Sequence, residues 1–389
     1  MKITSHNLLI TLCLASLFTF SACKEDEEAT PVDVVSTEEP TVQIKTLLTD
    51  RGIIWGMDFL PNGDLLFTEK SGKLSRYSKG TISEITGLPN DISAAGQGGL
   101  LDLKVHPKYA ENGWIYMAYS SVNASNAGKL QLIRFKLNAD NVISNAASIF
   151  ATDASNTWLG HYGCRIAFDK QGLLYLSVGE GGAGSYGGAS SPHQNAQNVK
   201  SAWGKVHRMT DNGGVPDDNP VLAGNTTATT IFSYGHRNPQ SLALNPFTNE
   251  IWEAEHGPMG GDEINIIRAS KNYGWPLYSY GLNYDGTVIS QNPAPEGIEK
   301  PVLTWTPSIG ACGMDFITHN NFKKWKGNVL IGSLAKIYLS RCEISGNVIV
   351  KEHKLLEYMG RVRNVKQSPD GIIYVSLENP GRIIQIIPS

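Results

Sequence analysis

The 389-residue chain is short of cysteine, of basic clusters, of helical periodicity and of long apolar runs, and each shortage narrows the reading. Of its five cysteines only Cys164, Cys312 and Cys342 lie beyond residue 23. An odd number, so widely spaced, is no disulfide framework, although one bridge stays open. Lys and Arg total 33 against 36 Asp and Glu, with no basic cluster, so nucleic acid is not the expected partner. Apolar residues rarely recur at helical spacing, which leaves strands as the main element. The apolar run at 8–20 is too short to span a membrane as a free-standing helix. No nucleotide-binding unit, Ser-His-Asp order or Cys/His zinc spacing is present.

What is there begins with Met1-Lys2, the apolar run and Ser21-Ala22-Cys23. A charged start, an apolar stretch and small residues before a break read as a secretory signal. A Cys directly after Ser-Ala resembles the bacterial lipoprotein signal, in which that Cys is lipidated; an ordinary signal peptide with an incidental Cys is the other reading. KEDEEATPVDVVSTEEP follows, acidic and without an apolar period, the composition of a disordered tether. The expectation is a signal peptide over 1–22, a flexible tether over 23–40 and a folded domain over 41–389. The protein is then exported and held by a lipid on Cys23, in the bacterial periplasm or on the outer-membrane surface.

A unit recurs along the domain. MDFLPNGDLLFTEKSGKLSRYS starts at Met57, LKVHPKYAENGWIYMAYSS at Leu103, RIAFDKQGLLYLSVGE at Arg165, LALNPFTNEIWEAEHGP at Leu242 and VKQSPDGIIYVSLENPGRIIQI at Val365; FKKWKGNVLIGSLAKIYLSRCEI at Phe322 is a weaker sixth copy. Each has a strand-like run, a turn rich in Pro, Asn, Asp or Gly, and a second run of alternating aromatic and aliphatic residues. Alternation over five or six residues predicts half-buried antiparallel strands. Six strand–turn–strand units at intervals of about 45–80 residues predict an all-β chain, a six-bladed β-propeller with long inserted loops. A pair of β-sandwiches is the alternative, but it leaves the repeated phrase unexplained. In a propeller, loops scattered in sequence meet on one rim.

The rim candidates follow from that geometry. Segment 231–276 carries Arg237-Asn238 before a strand and Glu255-His256-Gly257-Pro258 and Gly261-Asp262-Glu263 after it. Asn245-Pro246-Phe247-Thr248-Asn249 reverses the chain between them, so both polar loops can share a rim. Such a rim suits an anionic ligand and a hard cation. Gln97, in Gly96-Gln97-Gly98-Gly99, sits where glycines allow close backbone approach. His161 precedes the run at Arg165, and Glu180 follows its hairpin partner. A carboxylate beside a His fixes the tautomer and raises basicity, as a general base requires; a His satisfied within its own loop is the plainer reading. Tyr284, Lys336, Arg361 and Arg363 complete the set. Arginines two apart on a strand face the same way and can clamp carboxylates.

GQGGLLDLKVHP, HYGCRIAF, LYLSVGE, WGKVHRMTDNGGVPDDNP, YGHRNPQSLALNP, EHGPMGGDEIN, NYGWP and GRVRNV occur in that order. In this the chain resembles the soluble aldose sugar dehydrogenases that depend on pyrroloquinoline quinone (PQQ), also called glucose/sorbosone dehydrogenases, over nearly the whole domain. The resemblance implies the six-bladed propeller, PQQ and calcium as cofactors, an aldose as substrate and an electron acceptor that it does not identify. By position, His161 corresponds to the base that takes the anomeric proton while hydride leaves C1. Glu180 corresponds to its orienting carboxylate, and Arg237 to a residue that stabilises charge on the quinone. Gln97, Asn238, Tyr284, Lys336, Arg361 and Arg363 fall at or beside cofactor-contacting positions. Gly257 and Pro258 match carbonyls that hold the cofactor's calcium, and Glu263 and Tyr273 match a second calcium site, Tyr273 through its carbonyl.

Two departures stand out. Relatives read Ser-Leu-Lys where this chain has Ser333-Leu334-Ala335-Lys336, a one-residue shift that turns the lysine to the other face of a strand. Gly160 stands where some glucose-oxidising members carry Asp. A propeller that has lost its cofactor and binds carbohydrate or protein is therefore the competing expectation. A calcium-dependent lactonase is a third, which would lack the double-arginine clamp.

Overall fold

The computed structural model describes residues 39–182, 186–290 and 294–389; the segment read as a signal peptide, Cys23 and most of the expected tether lie outside them. Each repeated unit forms one antiparallel sheet of four strands, and six such sheets make a six-bladed propeller. The innermost strands, in blade order, are Ile54–Phe59, Leu100–Val105, Gly163–Phe168, Pro239–Asn245, Ala311–Phe316 and Arg361–Gln367. Each packs beside the next around the axis. The sixth blade is completed by the beginning of the domain: Val42–Arg51 runs antiparallel to Gly381–Pro388, with Val42 opposite Pro388. Both ends of the ring are thereby paired, which leaves no open seam between first and last blades.

Strands expected to be half-buried are more deeply placed than alternation suggested. All five residues of Leu65–Glu69 and of Leu174–Val178 are buried, because each blade is covered on both faces by its neighbours. Met57 and Phe67 of the first blade join Ile383 of the sixth. Trp252 of the fourth meets Phe316 of the fifth edge-on, with centroids 5.6 Å apart. The unit read from Phe322 begins earlier, at Ala311. Its turn contains a 3-10 helix, Asn320–Trp325, which hides the hairpin in the sequence. Glu39, assigned to the tether, belongs to the folded body. Its carboxylate accepts from the Trp325 indole at 2.7 Å and from Arg341 at 3.1 Å.

One side chain closes the axis. Arg165, 3% exposed, lies on the third blade's inner strand. Its guanidinium donates to the carbonyl of Trp55 (3.1 Å), Asp102 Oδ1 (3.2 Å), the carbonyl of Gln240 (2.8 Å), Cys312 Sγ (3.4 Å) and the carbonyl of Arg363 (3.0 Å). These partners sit on the inner strands of the other five blades. The ring of Trp55 covers the guanidinium at 3.9 Å. Arg165→Met strips the buried Asp102 of its counter-charge and leaves three carbonyls short of a donor. The expected cost in urea unfolding is about 3–5 kcal/mol, partly recovered when Asp102→Asn is added.

Candidate active site

Above Arg165, on the rim where inner strands begin, lies a cavity of about 720 Å³. The chain enters all six inner strands beside it, at Trp55, Gln97, His161, Arg237-Asn238, Gly310 and Arg361, and it also lines the cavity where second strands end, at Lys70, Gly257-Pro258 and Glu378. The reversal at Asn245–Asn249 is a hairpin in which Asn245 faces Glu250 and Asn249 N donates to Asn245 O at 2.9 Å. It puts Arg237 and Gly257 on the same rim.

His161 and Glu180 meet through the third blade's first hairpin, where Gly163 faces Val178. Nδ1 of His161 lies 3.0 Å from Glu180 Oε1, and Glu180 Oε2 accepts the Trp275 indole N–H at 2.8 Å. An ionised carboxylate there fixes the Nδ1–H tautomer and leaves Nε2 as the acceptor. The His161 backbone is left-handed, with φ of 46°, and its N–H is held by Gln97 Oε1 at 3.0 Å. Backbone in this region is costly for a residue with a Cβ and persists where surroundings enforce it. Burial, then the charge of Arg237, outweighs Glu180 and lowers the His161 pKa to about 4. Burial raises the Glu180 pKa, but the hydrogen bond and charge of His161 outweigh it and the net shift is downward. The pair at neutral pH is thus a neutral imidazole beside a carboxylate.

Arg237 donates to the carbonyls of His256 (3.0 Å) and Gly257 (2.9 Å), while its Nε and second terminal nitrogen are buried without a partner. Asn238 is turned to structure: its Oδ1 accepts from Gly163 N at 3.1 Å. Arg361 and Arg363 face the same way, as their spacing implies, and both grip Glu378, at 2.8 and 2.6 Å. Tyr284 stands 65% exposed at the mouth.

Two positions depart from the sequence expectation. Lys336 is not on this cavity; it lines a separate groove of about 460 Å³ with Trp305, Tyr338 and Tyr358. Ser333 N bonds Tyr338 O, and within that loop Leu334 and Ala335 face the central cavity while Lys336 turns outward. Asp262, grouped with the ligand-facing carboxylates, instead ties blades together. It accepts from the backbone N–H groups of Gly257, Ile309, Gly310 and Ala311 at 2.6–3.1 Å.

The residues fit a cation in two places. The Gly257 and Pro258 carbonyls are cation-seeking, and the Arg237 guanidinium and the Ser308 hydroxyl (3.4 Å) donate to them. Separately, Glu255, Glu263 and Tyr273 border a crevice of about 10 Å³, room for a single water or ion. Glu253 and Asn265 lie behind it, each with a buried side-chain oxygen lacking a partner. Burial, with the charge of Glu255, holds the Glu253 and Glu263 carboxyls well above the usual range. Such crowding of carboxylates suits a divalent ion. The Tyr273 ring stacks on His236 at 4.5 Å, and its hydroxyl donates to Ile266 O.

Lys70, Trp158, Gln240 and Glu378 also line the cavity and were not picked out by sequence; His256 lines it too, within the polar loop that the sequence placed on this rim. Superposing the units would have found Glu378, which closes its second strand as Glu255 does in the fourth blade, and Lys70, which stands one residue past the end of its own. Trp158 fills the space beside Gly160: a Cβ there would lie 2.4 Å from the indole, which packs edge-on against His161 at 4.8 Å.

A propeller whose axial cavity joins a carboxylate-held imidazole to clustered cations defines a class of site built to move a proton beside a bound anion. The comparisons give that class its family. Residues 52–385 match the family model for glucose/sorbosone dehydrogenase, and the chain belongs to that family. It is 34% identical to the aldose sugar dehydrogenase YliI of Escherichia coli K12 over 90% of this chain and 93% of that protein. The crystal structure of the soluble aldose sugar dehydrogenase from E. coli in its apo-form superposes with a TM-score of 0.81 at 33% identity, covering 90% of this chain and all of that one. The PQQ-bound aldose sugar dehydrogenase from Streptomyces coelicolor gives 0.72 at 25% identity, covering 90% and 100%.

In an NMR titration the His161 ring should change protonation near pH 4, well below the ordinary 6.5. Glu180→Gln removes the group that raises this pKa, so the midpoint moves lower still. An unmoved midpoint would mean that Glu180 does not act on the ring.

Proposed function

We propose that this protein oxidises the anomeric carbon of aldose sugars to lactones, with PQQ as hydride acceptor and calcium holding it. It is a quinoprotein sugar oxidoreductase. The observation that carries the reading is the neutral His161 held by Glu180 at the wall of a cavity whose ionised lining is four cations, Lys70, Arg237, Arg361 and Arg363, against two carboxylates, Asp262 and Glu378. An excess of cations around one cavity calls for an anionic ligand, and the partnerless buried nitrogens of Arg237 are donors that a ligand oxygen would satisfy. When bound, PQQ supplies a two-electron acceptor for the hydride from the sugar C1.

The remaining chemistry belongs to the chain. His161 Nε2 takes the proton of the anomeric hydroxyl as the C1 hydride leaves, which yields the lactone carbonyl. Glu180 keeps the imidazole oriented and stabilises it once protonated. Gln97 fixes the His161 backbone, and Tyr284 guards the entrance. Arg361 and Arg363 would hold carboxylates of the cofactor at the far wall, and the partnerless nitrogens of Arg237 would donate to one of its oxygens. The Gly257 and Pro258 carbonyls would hold an ion beside the cofactor, and Glu263 with the Tyr273 carbonyl would hold a structural one. The electron acceptor that follows is unassigned. Export, with a lipid on Cys23 and a flexible tether, would put this chemistry in the bacterial periplasm or on the outer-membrane surface.

The test is titration of the purified domain with PQQ in calcium, then addition of glucose or another aldose under an absorbance probe. Binding followed by sugar-dependent bleaching of the quinone is expected. His161→Ala should bind PQQ and reduce it about 10²–10⁴-fold more slowly. Failure of the wild type to bind PQQ would instead favour a propeller turned to binding, consistent with Lys336 lying outside the cavity. Calcium has its own readout. The crowded Glu253, Glu255 and Glu263 should make the melting temperature fall on chelation and recover with calcium, and Glu263→Gln should blunt both changes.

A further inference from the structure

Although Lys336 lies outside the central cavity, a lysine lines it. Lys70 follows the second strand of the first blade and lines the cavity, half-buried. Its backbone is fixed between blades: its N–H donates to Ile53 O at 2.8 Å and its carbonyl accepts from Leu100 N at 3.2 Å. Gly99 makes room for it, since a Cβ there would lie 2.2 Å from the Lys70 carbonyl and 2.7 Å from its Cγ. The ammonium donates to Ala94 O at 2.8 Å, which leaves two of its three N–H groups for a ligand. Burial and the charge of Arg363 depress its pKa, while Glu378 pulls the other way. That carboxylate is already shared by Arg361 and Arg363. Three cations around one carboxylate repel one another unless a further anion arrives.

We infer that Lys70 is the third cation of the anion clamp: with Arg361 and Arg363 it takes the carboxylates of a planar polycarboxylate, supplying the charge that Lys336 does not bring to the cavity. The inference rests on the PQQ reading for its natural ligand, but the clamp is tested apart from it. Wild type, Lys70→Gln, Lys70→Arg and Lys336→Gln are titrated with PQQ in calcium by calorimetry. They are also melted with and without benzene-1,3,5-tricarboxylate, a planar tricarboxylate without redox chemistry.

Lys70→Gln should weaken PQQ binding by about tenfold or more. Lys70→Arg should retain most of the affinity, and Lys336→Gln should stay within about twofold of wild type. The tricarboxylate should raise the melting temperature of wild type and not of Lys70→Gln. Without ligand, Lys70→Gln should melt at or above the wild-type temperature, because a repulsive neighbour of Arg363 has gone. Wild-type PQQ affinity in Lys70→Gln overturns the assignment. If wild type takes up no PQQ, the functional reading fails, and the tricarboxylate decides alone: a shift lost in Lys70→Gln sustains the clamp, and equal or absent shifts in both overturn it.

Discussion

The structure depends on one guanidinium. A propeller's inner strands converge on an axis where backbone groups near the centre have few partners of their own. Arg165 answers this by reaching from the third blade to the inner strand of every other blade. Its charge is balanced by Asp102, which also accepts from Ile166 N at 2.9 Å. A planar fork with five donors suits this arrangement, and no other side chain offers as many in one plane. Because the contacts are divergent, a shift of any inner strand is felt by all.

That centre is also the floor of the active site. Arg363, whose carbonyl Arg165 binds, sends its own side chain to Glu378 and to Gln240 Oε1 at 3.1 Å. Gln240 in turn donates to Asn238 Oδ1, which accepts the N–H of Gly163 two residues from His161. The base and the anion clamp therefore stand on one continuous hydrogen-bonded base, although they come from opposite sides of the ring. Rigid strands carry the functional groups, and the loops above them are left to choose the substrate.

Much of this was legible in the sequence for a physical reason. Strand–turn–strand phrases depend on local residues, so the count of six blades and the pairing of His161 with Glu180 followed from hairpin geometry alone. The hidden parts depend on contacts between distant blades. Arg165 looks like an ordinary strand residue until five other strands surround it, and Glu378 looks like the end of a hairpin until two arginines reach it. Lys70 escaped because the charges it faces, Arg363 and Glu378, come from the opposite end of the chain. The Phe322 unit was misplaced by a helical turn inserted in its hairpin. The fate of Lys336 could be read, since a one-residue insertion changes facing; what replaced its charge could not.

The tight seat of Gly160 against Trp158 bears on how this pocket changes over evolutionary time. A side chain at 160 would enter the indole's space, so it can be added only if Trp158, which is 39% exposed, swings outward. The ring would then leave His161, on which it packs edge-on. Position 160 thus reaches the histidine through its neighbour, and changes at 158 and 160 are expected to be coupled rather than additive.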